Sequence, residues 1–311
     1  MAYPIDKKLV IAVSSSALFD LSESDQVFRE HGASAYREFQ HQHLNTVLAK
    51  GVAFPFIRRF LSFNQRFPDL QPVEVVLLSR NSPETGKRVF RSIEQYGLGI
   101  SRAAFVSGSS PITYIKAFNA SLFLSANPGD VTLAVKNGFP GGLLLASGMQ
   151  DDEQDDELRV AFDFDGIIAD DESEAVFKQS GLDQFYQHEQ SRLSEPHKPG
   201  LLADLFLKLA GLQALENTRA EHEPDYQRIL RTAIITARSA PAHERMITTL
   251  ESMGVTPNET FFLGGMEKRR ILEVMKPHVF FDDQLGHLTP TAEKLAMVHV
   301  PFGVANAPAE R

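Results

Sequence analysis

Leu158-Arg159-Val160-Ala161-Phe162-Asp163-Phe164-Asp165-Gly166 is the stretch whose reading decides the fold. Its first five residues are nearly all apolar, the pattern of a strand buried on both faces inside a parallel sheet. Ligands of such sheets bind beyond the carboxyl ends of the strands, so this run carries two carboxylates to the usual place of chemistry in an α/β protein. Asp-x-Asp by itself is common in turns. It gains weight from three later residue groups, in this order along the chain: Thr236 after Ile234-Ile235, then Lys268, then Asp282-Asp283 after Val279-Phe280-Phe281.

Outward from that run, short apolar segments alternate with helical patterns along the whole chain, which is the signature of βαβ units. The first half offers strands at Leu9–Val13, Val73–Leu78, Ala104–Val106, Leu122–Leu124 and Leu143–Ala146. The second offers Val160–Phe162, Ala233–Thr236, Thr260–Leu263, Val279–Phe281 and Ala296–Val300. Between them, 151–157 is almost wholly acidic and reads as a solvated linker. The expected fold is α/β, with two related Rossmann-like three-layer α/β/α halves at 1–150 and 151–311.

The halves match each other in ungapped blocks. Ser79 and Thr236 stand 157 positions apart, and that offset also carries Ile93 to Leu250, Gly97 to Gly254, Phe105 to Phe262, Gly108 to Gly265 and Phe123 to Phe280. Nearer each start an offset of 149 carries Ala12 to Ala161, Phe28 to Phe177 and Gly32 to Gly181. Several blocks in one order argue for an internal duplication. The chemistry is not duplicated: Ser14, Ser16, Pro111, Ser125 and Ala126 occupy the places of Asp163, Asp165, Lys268, Asp282 and Asp283. The N-terminal half reads as degenerate and non-catalytic.

The composition narrows the partners. With 311 residues, 43% hydrophobic and 23% charged, the chain suits a soluble protein with a substantial core. A net charge of −9 argues against a nucleic-acid partner, and no apolar run is long enough for a bilayer. The absence of cysteine excludes disulfides and thiolate chemistry. A cytoplasmic enzyme is the default expectation. The ten histidines, His41 and His43 included, show no ligand cluster in sequence and read as surface residues. Pro83 to Arg88 lacks the earlier glycine and the following Ser/Thr of a phosphate loop.

The second half carries the parts that phosphomonoester hydrolysis requires. That reaction is among the slowest without a catalyst, with enhancements of up to ~10²¹-fold. It needs a nucleophile, a proton donor and concentrated positive charge around the phosphoryl oxygens. Asp163 fits the nucleophile, forming an aspartyl-phosphate, and Asp165 the acid that then activates water. A Mg²⁺ fits between Asp163, the carbonyl of Asp165 and Asp282. Lys268 would neutralise phosphoryl charge, Thr236 donate to it, and Asp283 orient the groups around the metal.

This order of motifs resembles the haloacid dehalogenase-like phosphohydrolases. Longer phrases narrow the resemblance to the cytosolic type I 5′-nucleotidases: Ala12-Val13-Ser14-Ser15, Ala53-Phe54-Pro55-Phe56, Asp171-Glu172-Ser173-Glu174, Thr236-Ala237-Arg238-Ser239 and Pro277-His278-Val279-Phe280-Phe281-Asp282-Asp283-Gln284. The resemblance covers nearly the whole chain and implies Mg²⁺-dependent hydrolysis of nucleoside 5′-monophosphates such as AMP. One departure concerns the loop itself: the family's animal members carry Asp-Gly-Asp followed by Ala, where this chain has Asp163-Phe164-Asp165-Gly166.

Residues 171–231 exceed an ordinary βα connection and read as helical, forming a cap over the site that excludes water and reads the leaving group. Within it Phe177, Phe185, Tyr186 and Arg192 are candidates for the nucleoside, against the alternative that the aromatics form the cap's own core. Arg238 is a candidate second phosphate contact. Two further readings stay open: a phosphatase for another small phosphomonoester, and a nucleotide-binding regulator that uses the N-terminal half. That half serves otherwise as a scaffold or in self-association as a homo-oligomer.

Overall fold

The computed structural model describes residues 3–307. It is an α/β fold in which the chain divides into two compact units, Met1–Leu144 and Leu145–Arg311. In chain order the first unit runs β1 (Leu9–Val13), α1 (Ser15–Leu18), β2 (Phe19–Asp20), α2 (Ser22–Gln42), β3 (Ala49–Lys50), α3 (Phe54–Arg66), β4 (Val73–Ser79), α4 (Gly86–Gln95), β5 (Arg102–Phe105), β6 (Leu122–Ser125), α5 (Pro128–Lys136) and β7 (Gly141–Leu144). Five of these strands pair in parallel in the order β7-β6-β1-β4-β5, while β2 and β3 form a small antiparallel ribbon. Every residue of β1 and β4 is buried, as the unbroken apolar runs require of strands covered on both faces. Val10, Ala12, Val76, Leu78 and Phe123 pack together on one face.

The second unit runs β8 (Leu158–Phe162), α6 (Glu172–Ser191), α7 (Ala203–His222), β9 (Leu230–Thr236), α8 (His243–Met253), β10 (Glu259–Phe262), α9 (Arg269–Met275), β11 (Val279–Asp282), α10 (Leu285–Leu288) and β12 (Met297–His299). Its parallel strands lie in the order β12-β11-β8-β9-β10. Ala161, Ala233, Ile235, Phe280 and Met297 form its corresponding core face. The acidic stretch expected as a linker belongs to this unit, where Asp155 and Glu157 pair with Nη1 of Arg159 at 2.8 and 2.7 Å.

The two strand orders are the same, and so is the register. Ala12 pairs with Val76 and Phe123, as Ala161 pairs with Ala233 and Phe280. Ser79 pairs with Phe105, as Thr236 pairs with Phe262. Each unit also places two long helices between its first two sheet strands, so the helical insert expected after β8 has a counterpart after β1. Both first helices break at glycine: Gly32 has φ 78°, ψ −174° in α2, and Gly181 has φ 80°, ψ −175° in α6. Only glycine tolerates that backbone region, so the two helices are bent at the same place for the same reason.

All ten expected strands form, β1 with the expected bounds and the other nine with shifted ends. The clearest shift is in β7, which starts at Gly141 rather than Leu143. Glycine is depleted in strands, but a Cβ on Gly141 would stand 3.2 Å from Ala134 Cβ and 3.3 Å from Val131 O. The close approach of α5 explains the residue.

Candidate active site

The chain crosses from the β10 edge back to β11, so β8 and β11 are neighbours whose connections leave in opposite directions. Such a switch opens a crevice at the carboxyl ends of the strands. Phe162 pairs with Phe281, and the next residue of each strand is an aspartate. Asp163 N donates to Phe281 O at 2.8 Å. Sheet register therefore sets Asp163 beside Asp282, although 118 residues lie between them in the chain.

Lys268 caps the start of α9 and reaches both carboxylates, with Nζ 2.7 Å from Asp163 Oδ2 and 2.7 Å from Asp282 Oδ2. All three side chains are buried. Burial would lower the Lys268 pKa, yet the two carboxylates outweigh it and raise it above the ordinary lysine value. Burial pushes the Asp163 carboxyl up to about 7, despite the opposing pull of Lys268. For Asp282, burial is overcome by Lys268 and His287, and its pKa falls.

Asp165 points elsewhere. Its carboxylate is gripped by Arg238, with Nε to Oδ2 at 2.8 Å and Nη2 to Oδ1 at 2.6 Å. Arg238 also bonds the buried Glu189 of α6, which accepts from Ser173 at 2.7 Å and from Arg245 at 3.0 Å. Phe164, the residue that departs from the Asp-Gly-Asp pattern, is fully buried between these groups. Its ring lies 5.3 Å from the Arg238 guanidinium carbon and 5.5 Å from the His197 ring. It supports the grip on Asp165 from one side. Thr236 Oγ1 accepts from Arg238 N at 3.2 Å, which leaves its own O–H available as a donor.

Asp283 is buried, and neither carboxylate oxygen has a hydrogen-bond partner of fixed polarity. Burial, with Asp163 and Glu174 close by, pushes its pKa up to about 10. Gly166 adjoins it at φ 72°, and a Cβ there would come within 2.7 Å of Asp283 Oδ2. Among the described residues, the four carboxylates of Asp163, Asp165, Asp282 and Asp283 thus gather about Lys268 and Arg238, with Asp163, Asp282 and Asp283 buried and Asp165 partly exposed. An oxygen-lined site with excess negative charge fits a hard divalent cation such as Mg²⁺. The group of possible ligand atoms is Asp163, Asp282 and His287, all within 4.8 Å of one another. It does not include the carboxylate of Asp165, because Arg238 holds it. His287 was not foreseen; its Nδ1 lies 3.1 Å from Asp282 Oδ2, a contact that orients the aspartate.

A cavity of about 450 Å³ opens onto Asp163, Asp165 and Arg238. Phe177, Leu182, Phe185 and Tyr186 of α6 form its apolar side. Phe177 meets Phe185 edge-on at 6.3 Å, and Tyr186 Oη lies 3.3 Å from Ser239 Oγ. The aromatics thus contact one another and line the cavity as well. Arg192 does neither: it turns to His188 and Glu195. The expectation that the histidines are surface residues also fails, since His197, His278 and His299 are buried. Among the described residues no helix is long and apolar enough to cross a membrane.

A family model described as 5′-nucleotidase matches residues 1–307. Human (Homo sapiens) cytosolic 5′-nucleotidase 1B is 34% identical over 289 residues, covering 90% of this chain and 46% of that protein. The chain therefore spans about half the length of the curated relative it matches. No solved structure matches significantly.

Proposed function

The chain belongs to the 5′-nucleotidase family, and from that premise we propose that its second unit hydrolyses nucleoside 5′-monophosphates, AMP-like, with Mg²⁺ through an aspartyl-phosphate. The observation that carries this reading is Lys268 set 2.7 Å from both Asp163 and Asp282, with Asp163 lining an aromatic-sided cavity. The cytosolic relative supports placing the activity in the cytoplasm.

In this reading Asp163 Oδ attacks phosphorus while the P–O5′ bond breaks. Asp165 gives its proton to the departing O5′, a role worth ~10²–10⁴-fold. It then takes a proton from the water that attacks phosphorus, and cleavage of the P–Oδ bond frees phosphate and restores Asp163. Lys268 and the Thr236 hydroxyl stabilise charge on the phosphoryl oxygens. Asp163, Asp282 and the Asp165 carbonyl would hold Mg²⁺, which would supply further charge neutralisation. Arg238 fixes the direction of Asp165 and occupies both of its carboxylate oxygens. Proton donation from one of those oxygens requires Arg238 to loosen its grip and turn toward the substrate phosphate. Phe177, Phe185 and Tyr186 offer flat apolar surface to the base.

The first unit is, on the same reading, a duplicated scaffold that has lost its chemistry, since Ser14, Ser16 and Ser125 stand at the matching strand ends. The deciding experiment is phosphate release from a panel of nucleoside monophosphates and sugar phosphates, with and without Mg²⁺. Nucleoside monophosphates should lead the panel, and Mg²⁺ omission should abolish turnover. A sugar phosphate leading the panel would replace the substrate assignment, and full activity in Asp163→Asn would end the mechanism.

A further inference from the structure

Asp170, Glu172 and His197 form a second cluster in the same unit, sharing no residue with the group at the strand ends of β8 and β11. One ligand atom of each lies within 4.8 Å of the other two. Asp170 and Glu172 bracket the start of α6, while His197 lies in the connection between α6 and α7. The cluster thus joins the two ends of the bent helix that sides the cavity.

Two of its atoms have no partner. The His197 side chain is wholly buried. Its Nε2 faces Glu189 Oε2 and Arg238 Nη2, each at 3.3 Å, but Nδ1 has no hydrogen-bond partner. Asp170 Oδ1 is likewise buried and unpartnered. Orphaned buried polar atoms are costly and call for an explanation. Hydrogen bonding to the protein does not supply one here. The first unit shows the apolar alternative: at the offset of 149, Leu21 and Leu48 stand in the places of Asp170 and His197, and both are buried. The same fold closes this corner with leucine where the catalytic residues are also missing.

We propose that Asp170, Glu172 and His197, the last through Nδ1, bind a divalent ion of the Zn²⁺ class. One imidazole and two carboxylates with an open fourth position suit such an ion. Ligands of a tetrahedral ion at ~2.1 Å lie roughly 3.4 Å apart, within reach of small side-chain rotations from the observed spacing. Glu172 also contacts Arg245 at 3.2 Å and His188 at 3.3 Å, and it is the solvent-facing member able to turn inward. An ion on Nδ1 makes Nε2 the N–H donor toward Glu189. Occupancy then stiffens the link from α6 through Glu189 and Arg238 to Asp165. The site stands on its own donor set and does not depend on the proposed reaction.

The test is equilibrium dialysis of the chelator-stripped full chain against Zn²⁺ in a large excess of Mg²⁺, with thermal melting in parallel. Wild type, Asp282→Asn and His287→Asn should each retain one Zn²⁺ per chain, the last two having a disturbed strand-end cluster. Asp170→Asn, which keeps an oxygen at the same place, should bind at least about tenfold more weakly, and His197→Gln likewise. Zn²⁺ should raise Tm only in the proteins that keep the site. Should His197→Gln fail to fold, Asp170→Asn decides alone. Equal Zn²⁺ retention by Asp170→Asn, loss in Asp282→Asn but not in Asp170→Asn, or no Zn²⁺ held by wild type would each overturn the site.

Discussion

The two units tie α4 and α8 to the helical inserts by the same hydrogen bonds, made by different chemistry. Arg88 Nε donates to Thr46 O at 2.9 Å, and its counterpart Arg245 Nε donates to Glu195 O at 2.9 Å. Leu48 N donates to Ser92 Oγ at 3.0 Å, as His197 N does to Thr249 Oγ1 at 3.0 Å. Gln40 accepts from Arg88 at 3.3 Å where Glu189 accepts from Arg245 at 3.0 Å. Tyr36 bonds Asn81 at 2.9 Å, whereas Phe185 lies 5.4 Å below the guanidinium of Arg238. The frame is therefore separable from the charges it carries. A neutral glutamine meets the needs of the buried arginine in the first unit. In the second, a full carboxylate sits between Arg238, Arg245 and His197. Burying ions is expensive even when they are paired, so a buried carboxylate shared by two arginines, in the unit with the strand-end aspartates, points to function rather than stability.

Converting one unit toward the other tests this separation, and the largest effect should come at the nucleophile. Asp163→Ser, which installs the residue found at Ser14, should reduce kcat by at least about 10⁴-fold, the scale on which loss of a nucleophile acts. Ser14→Ala should leave phosphate release within about twofold. A loss of activity in Ser14→Ala, measured with the same substrate, would show that the first unit takes part in the reaction.

Next comes Glu189→Gln, which copies Gln40. Removing the carboxylate leaves buried Arg238 with Asp165 and buried Arg245 with Glu172 as their remaining anions, and breaking the shared buried pair should cost ~3–5 kcal/mol in denaturant unfolding. Gln40→Ala should cost about 1 kcal/mol. The two also differ with pH. Burial would raise the Glu189 pKa, but the hydrogen bond from His197 and the charge of Arg238 hold it far below its unfolded value of 4.5. Its contribution is therefore complete above pH 4.5 and is lost as pH falls toward the folded value. Wild type should lose stability through that acid range, and Glu189→Gln should lose less.

The smallest effect should come at the bends. Gly181→Ala and Gly32→Ala force alanine to φ near 80°, and each should cost ~1–3 kcal/mol through strain alone. No atom stands within 4 Å of an added Cβ at either position. Only Gly181→Ala should raise KM as well, because α6 carries Phe177, Phe185 and Tyr186. Equal KM changes in both variants would dissolve the functional asymmetry between the two inserts.

Much of this was legible in the chain. The apolar runs identify the ten sheet strands because burial on both faces leaves few polar residues within them. The paired offsets of 149 and 157 foretell the shared register, since a side-chain period of two makes every paired strand answer to the same spacing. Asp163, Lys268 and Asp282 could be nominated because each follows an apolar run. Other features carried no local signal. Glu189, His197 and His287 look like ordinary helix or loop residues, and only the return of α6 and α10 onto the sheet brings them to the site. Arg192, a weaker candidate than Arg238, turns instead to His188 and Glu195.

By itself, then, the sequence determined which segments are buried, which half kept its carboxylates and in what order they arrive, because burial pattern and residue identity are local properties. Tertiary structure alone decided that Asp165 is held by Arg238 while Asp163 and Asp282 share Lys268. It also left Asp170 and His197, two members of one cluster, each with an unpartnered buried atom. Those outcomes depend on separations of a few ångströms between residues tens of positions apart, which only the closed fold defines.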